Sequence, residues 1–343
     1  MAVSAATLAT TPAPTPTNCA PTSFVPDGTY DTTSARRGPG LVLSGAGAGN
    51  MPSAALAWIR GHIGARDDGR AGNVVILRAS GERDSTDDFY RMGRFAWVQE
   101  VLVPPCASHA QVASVAAVVD RADAVFFSGG DQANYAAWKG SALIAAVRSL
   151  YARGGIVGGG SAGLAIQGDI AYDSIAADRL HPNDDDYNVT TRNAVPSPLE
   201  PEISFTTGLF AWPPLHGVIT DTHFVQRDRF GRLVVFLARI LRDRLAPAPL
   251  FGLGVDAGSV VLVDAGGRAT LRTSPGSHGA YVVRMSSAPV LAPGRPFRAS
   301  VDVMHVARDG EQFDLIRKSG PARWYSVTVD ATRPQHYDRD PYR

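Results

Sequence analysis

Cysteine is scarce in this chain: Cys19 and Cys106 are the two in 343 residues. Two thiols cannot form a four-cysteine zinc site, and with Cys19 in an Ala/Thr/Pro-rich arm no disulfide framework is expected. Long hydrophobic runs are missing too. No stretch approaches the roughly 20 apolar residues that cross a bilayer as a helix, so a membrane-spanning helix is not expected. Nor is there an excess charge of either sign. The 33 Lys and Arg face 32 Asp and Glu, a net charge of +1. With the arginines interspersed among acids, the chain lacks the concentrated basic surface that nucleic acid or an anionic membrane requires. There is no H-E-x-x-H or comparable metal cluster. The loop Ser44-Gly45-Ala46-Gly47-Ala48-Gly49 lacks the full G-x-G-x-x-G, and the second strand ends in Arg78 where a ribose-binding acid would stand. Both features argue against a dinucleotide site. Neither a metal nor an organic cofactor is expected.

What is abundant is glycine, 35 residues, in a chain that is 45% hydrophobic. That is enough for one large domain, alone or with an appendage. From Gly40 short apolar runs alternate with helical patterns, the rhythm of βαβ units around a buried, mostly parallel sheet. Strands are predicted at residues 41–44, 74–78, 98–103, 124–128 and 218–220, and helices at 52–63, 109–120, 133–151 and 229–244. Residues 173–214, rich in Asp, Asn and Pro, interrupt the pattern and are expected to be a functional lid. From Phe251 short alternating strands with Gly and Pro turns predominate. The expected organisation is a disordered leader over 1–38, an α/β domain over 39–275 and a small β-rich extension over 276–343.

Gly155-Ile156-Val157-Gly158-Gly159-Gly160-Ser161-Ala162-Gly163-Leu164 is an apolar strand running through a glycine-dense turn into a helix. It contains G-x-S-x-G, in which small neighbours let a serine occupy a strained turn with its hydroxyl exposed. The same turn aims the N–H of Ala162, at a helix start, toward a developing oxyanion. A serine needs a base. Of eight histidines, His223 in Asp221-Thr222-His223-Phe224-Val225-Gln226-Arg227-Asp228-Arg229 is best placed. Arg227, Arg229 and Arg232 around it are suited to gripping carboxylates.

Phe127-Ser128-Gly129-Gly130-Asp131-Gln132, Gly160-Ser161-Ala162-Gly163, Asp221-Thr222-His223-Phe224 with the three arginines, and Gly252-Leu253-Gly254-Val255-Asp256 follow one another in an order that resembles the cyanophycinases, a branch of the cyanophycinase and aspartyl dipeptidase family of serine peptidases. Asn134-Tyr135, Trp138-Lys139-Gly140, Phe313-Asp314-Leu315 and Tyr325 are similar to its exported exopeptidases. The resemblance spans roughly residues 40–330. It implies a three-layer α/β sandwich related to class I glutamine amidotransferases, with Ser161 as nucleophile, His223 as base, and Gly130 and Ala162 forming the oxyanion hole. Asp131, Gln132, Asp221, Thr222, Arg227, Arg229 and Arg232 would line the substrate pocket. The implied substrate is cyanophycin, a poly-aspartate carrying arginine on its β-carboxylates, and the implied product is β-aspartyl-arginine.

One position departs from the pattern. Where cyanophycinases have Asp-Glu, the glutamate orienting the histidine, this chain has Asp256-Ala257. Asp256 is the first substitute for the missing acid, and Asp169 or Asp173 are alternatives. Two other readings stand beside the first: a dipeptidase for other aspartyl peptides, and a weakened relative that binds aspartyl or arginyl peptides. The expected partner is a peptide or polymer with acidic and arginyl groups, and a twofold homodimer is open to such a chain. Likeness to exported relatives implies export, with the cytoplasm as the alternative.

Overall fold

The computed structural model describes residues 19–64, 69–83, 85–184 and 187–343. The chain starts with β1 (Thr22–Ser23), β2 (Asp27–Gly28), β3 (Gly40–Ser44), α1 (Ser53–His62), β4 (Ala71–Arg78) and β5 (Phe95–Leu102). Next come α2 (His109–Ser114), α3 (Ala116–Asp120), β6 (Ala124–Phe127), α4 (Gln132–Ala136), α5 (Ala142–Ala152), β7 (Ile156–Gly160) and α6 (Ala162–Ala165). The middle of the chain forms β8 (Ile170–Tyr172), α7 (Ile175–Leu180), α8 (Thr191–Ala194), β9 (Phe205–Thr207), β10 (Val218–Asp221) and α9 (Phe230–Arg242). Strands β11 (Leu250–Val255), β12 (Ser259–Val263), β13 (Arg268–Thr273), β14 (Ala280–Met285), β15 (Arg298–Val306), β16 (Gln312–Asp314) and β17 (Trp324–Asp330) complete it.

These strands form two sheets, where the sequence predicted one mostly parallel sheet. In the first, β5-β4-β6-β7-β3 is a parallel block, extended antiparallel by β12, β13 and β16 beyond β3 and by β1 and β2 beside β5. In the second, ordered β17-β15-β14-β11-β10-β8-β9, β10 pairs parallel with β8 and β11, and the other pairs are antiparallel. Both sheets are therefore mixed. The physical reason lies in connection length: a parallel neighbour needs a crossover of a dozen or more residues, whereas strands joined by a tight turn pair antiparallel. The turn Asp264–Gly267, closed by Gly267 N–H donating to the Asp264 carbonyl, makes β12 and β13 such a pair. The C-terminal strands are divided between the sheets, β16 joining the first and β14, β15 and β17 the second.

Alternation along the parallel strands sorts their side chains between two cores. Leu41, Leu43, Val75, Leu77, Val125 and Phe127 pack in one with the helices α2 to α5. Val42, Val74, Ile76, Ala124 and Phe126 pack in the other with α1. The second sheet sends Val282 and Met304 into the first core, and Tyr281, Val283 and Val303 toward α9. Helix α9 is buried from Phe230 to Ala238, more than the one apolar stripe of a surface helix.

Of the leader expected over 1–38, residues 1–18 lie outside the described residues, whereas 19–38 carry β1 and β2, both bonded to β5. Cys19 and Cys106 form a disulfide across 87 residues, a correction to the expectation of no disulfide framework. The pairing could not be read from an arm with no apolar periodicity; it depends on β1 being brought to β5, whose end lies shortly before Cys106. Closing a loop of that length restricts the unfolded chain by about 4–5 kcal/mol. Cys106→Ala should lower the melting temperature by several degrees, and a reductant should reproduce the shift in the wild type but leave the variant unmoved.

Candidate active site

The site collects at the C-terminal ends of parallel strands, where α/β sheets open a crevice. Ser161 follows β7, the Ser128-Gly129-Gly130 turn follows β6, the His223 loop follows β10 and Asp256 follows β11. Ser161 takes φ 53° and ψ −119°, a backbone state unfavourable for a residue with a side chain. Its neighbours have no room for one. A Cβ at Gly160 would lie 2.1 Å from the Ala46 carbonyl oxygen, one at Gly163 2.1 Å from that of Phe127, and one at Gly159 2.2 Å from that of Gly163. The Ser161 carbonyl accepts from Leu164 and Ala165 N–H, both at 2.9 Å, closing the turn into α6. Ala162, the first helical residue, has an N–H with no acceptor within the helix. Gly130 has φ 125°, and a Cβ on Gly129 would stand 3.5 Å from that of Ser161, so the two turns are in contact.

His223 reaches the serine from the second sheet. Its backbone N–H donates to the Gly45 carbonyl at 2.9 Å, joining the loop after β10 to the loop after β3. Its φ is 45°. Ser161 Oγ–H donates to His223 Nε2 at 3.0 Å. On the other side of the ring, Nδ1–H donates to Gln226 Oε1 at 2.7 Å. Burial, with Arg227 and Arg229 nearby, pushes the imidazole down to about 4, against the opposing pull of the Gln226 bond and Asp221. At neutral pH the imidazole is thus uncharged.

The three candidate acids are engaged elsewhere. Asp256 accepts from the backbone N–H of Val225 (3.0 Å), Gln226 (3.2 Å) and His278 (3.1 Å). Asp169 accepts from Gly217 N–H at 2.9 Å and lies 3.2 Å from the ring of His216. Asp173 accepts from the Thr206 hydroxyl at 2.8 Å and from Ile175 N–H at 3.1 Å. Gln226 was absent from the sequence-level candidates. Its signal was spacing: Arg227 N–H donates to the His223 carbonyl at 2.9 Å, so 223–227 is a helical turn, and residues three apart on such a turn share a face.

A cavity of about 760 Å³ opens beside Ser161. Gly130, Asp131, Gln132 and Arg227 line it, as does the 173–214 segment through Ser174, Asp178, His181, Asp184 and Tyr187. Gln132 Nε2 donates to Ser174 Oγ at 2.7 Å, tying that segment to the turn after β6, and Asp131 caps α4 through Ala133 N–H at 2.9 Å. The other expected pocket residues lie beneath the His223 loop. Arg232 Nε donates to Asp221 Oδ2 at 2.9 Å, and its Nη1 to the Val189 carbonyl at 2.7 Å. Arg229 Nη1 donates to the hydroxyl and carbonyl of Thr222, at 2.7 and 3.0 Å. All four are buried. Their charges hold each other, while the exposed Arg227 is the arginine that faces the cavity.

No family model matches the chain, and no curated protein matches its sequence. Among solved structures it is similar to a peptidase from an acI-B1 Actinobacterium, with 14% identity and a TM-score of 0.48 over 80% of this chain and 96% of that one. It is also similar to a Listeria monocytogenes EGD-e protein that carries the provisional name Peptidase E, with 11% identity and a TM-score of 0.42 over 69% of this chain and 98% of that one. At these identities and scores, neither likeness bears on what this chain does.

The two classes of arginine should behave differently on substitution. Arg232→Ala leaves the buried Asp221 carboxylate without its main partner and should cost about 3–5 kcal/mol of stability, measured by denaturant unfolding. Arg227→Ala should leave stability within about 0.5 kcal/mol and weaken binding of an acidic peptide. The reverse pattern would show that the assignment is mistaken.

Proposed function

We propose that the chain is a serine-type peptidase that cleaves peptides bearing acidic and arginyl groups. The supporting observation is the 3.0 Å contact between His223 Nε2 and the hydroxyl of a serine held on a strained strand-to-helix turn. In this reading His223 takes the hydroxyl proton as Ser161 Oγ bonds to the peptide carbonyl carbon, and the N–H groups of Ala162 and Gly130 receive the oxyanion. Collapse breaks the C–N bond, and His223 passes its proton to the leaving amine. Water, deprotonated in turn by His223, releases the acyl group from Ser161.

The cavity wall supports the proposed substrate class. Asp131, Asp178 and Asp184 suit a guanidinium, and Arg227 suits a carboxylate. Cyanophycin carries both on every residue and fits the resemblance to cyanophycinases, with exopeptidase release of β-aspartyl-arginine as the reaction. A second reading, a weakened relative that binds such peptides, is favoured by one observation: the group on His223 Nδ1 is an amide. An amide cannot stabilise the imidazolium as an anion does. In a serine protease, replacing the acid with an amide costs about 10⁴ in turnover.

Incubation with insoluble cyanophycin should clear the suspension and release β-aspartyl-arginine, and Ser161→Ala should lose at least about 10³ of that rate while retaining binding. Equal release by both proteins would defeat the reading, and binding without release by either would favour the second one. A base titrating near 4 predicts that kcat/KM falls below about pH 4 and is level from about 5 to 7. The same shift bears on stability. His223 in the fold binds its proton more weakly than in the unfolded chain, at about 6.5, so its contribution is complete above that value and is lost as pH falls toward 4.

A further inference from the structure

We infer that Gln226 is the positioning residue of this site, its side-chain amide fixing the tautomer and orientation of His223 in the place where an acid would stand. The inference rests on the proposed serine-peptidase chemistry and adds to it a residue that the motif pattern does not contain. Three observations carry it. Gln226 Oε1 accepts from His223 Nδ1–H at 2.7 Å, so Nε2 is left with its lone pair toward Ser161 Oγ, 3.0 Å away. With the opposite tautomer, Nε2 would carry the proton and could not act as base. The second observation is that Gln226 is held from behind. Its side chain is exposed, so water competes for the amide and the bond to His223 depends on where the backbone puts it. Asp256 fixes that backbone through the N–H groups of Val225 and Gln226, at 3.0 and 3.2 Å. The carboxylate that sequence reasoning assigned to the histidine thus acts one step removed, on the turn that presents the amide. The third is geometric: 223–227 is one helical turn, closed by Arg227 N–H on the His223 carbonyl, which brings side chains three apart together.

An amide can serve in this position; Cys-His-Asn peptidases use one to orient their histidine. What it does not supply is negative charge. The charged groups acting on His223 are Arg227 and Arg229, which disfavour the imidazolium, and Asp221, which favours it but is committed to Arg232. Gln226→Glu would place an anion against Nδ1, and the imidazolium would then persist to higher pH.

The test uses the full chain and two readouts: the rate at which a fluorophosphonate labels Ser161 across pH, and the ¹⁵N shifts of the His223 ring, assigned with His223→Gln. Wild type should be labelled where Ser161→Ala is not, and its ring should be protonated at Nδ1. Gln226→Leu, similar in size but without an acceptor, should label at least about 10-fold more slowly and lose the single tautomer, with an unchanged melting temperature. In Gln226→Glu the acidic limb of the labelling profile should move toward neutral pH. Gln226→Leu labelling at the wild-type rate with its ring still protonated at Nδ1, or Gln226→Glu with an unmoved limb, would overturn the inference. Failure to label even the wild type would instead count against Ser161 as nucleophile, and the ring tautomer in Gln226→Leu would still decide the role of Gln226.

Discussion

The arrangement depends on backbone strain at one residue. Ser161, at φ 53° and ψ −119°, holds a conformation that costs on the order of 1–3 kcal/mol, and the surrounding packing makes any relaxed alternative worse. Gly159, Gly160 and Gly163 sit so close to carbonyl oxygens of neighbouring turns that no side chain fits at any of them. That closeness ties the end of β7 to β6 on one side and to the loop after β3 on the other. His223 joins the same loop through the Gly45 carbonyl. The serine and histidine thus meet because both are referenced to residues 44–46. Three further non-glycine residues of left-handed backbone, Ser174, His223 and Asp228, lie along the cavity wall and the His223 loop, while four others, Arg94, Arg244, Lys318 and His336, lie elsewhere in the described residues.

Behind that contact lies a layer of buried charge that the chemistry does not touch directly. Asp221, Arg229 and Arg232 are buried together under the loop. Breaking such a group leaves an unpaired charge in a place water does not reach, a strongly destabilising change. Arg232 also reaches the Val189 carbonyl, so the segment that walls the cavity and the loop that carries His223 are fastened to one guanidinium. The C-terminal residues add a second fastening: Tyr337 and Tyr342 each donate to Asp228 Oδ1 at 2.8 Å. The length of chain devoted to holding 223–231 is consistent with a histidine whose ring, among the described residues, is bonded to an amide and a hydroxyl and to no carboxylate.

Much of this was legible in the sequence, unevenly. The parallel block and the elbow could be read because their signals are local: apolar runs of strand length, and small residues on both sides of a serine. The long helix α9 appeared in outline for the same reason. Features that depend on pairing distant segments could not be read. The Cys19–Cys106 disulfide requires β1 to lie against β5, and nothing in residues 19–38 has the periodicity of a strand. The second sheet was folded into a single expected sheet because β8, β9 and β10 are short and separated by polar chain. At the site, sequence reasoning looked for a missing acid and named Asp256, Asp169 and Asp173. Each carboxylate in fact satisfies backbone or hydroxyl donors, and only the turn geometry reveals that a glutamine stands next to the ring. The arginines divide by depth, which composition does not encode: Arg227 is exposed, while Arg229 and Arg232 are buried.

The central claim is that Ser161 forms a covalent acyl intermediate. The most direct measurement is rapid acid quench of the protein during turnover of an aspartyl-arginine polymer, followed by mass spectrometry of the peptide containing Ser161. The account predicts an added acyl mass on that serine, absent in His223→Ala and decaying once substrate is exhausted. Product release with an unmodified Ser161 peptide at every quench time would contradict it.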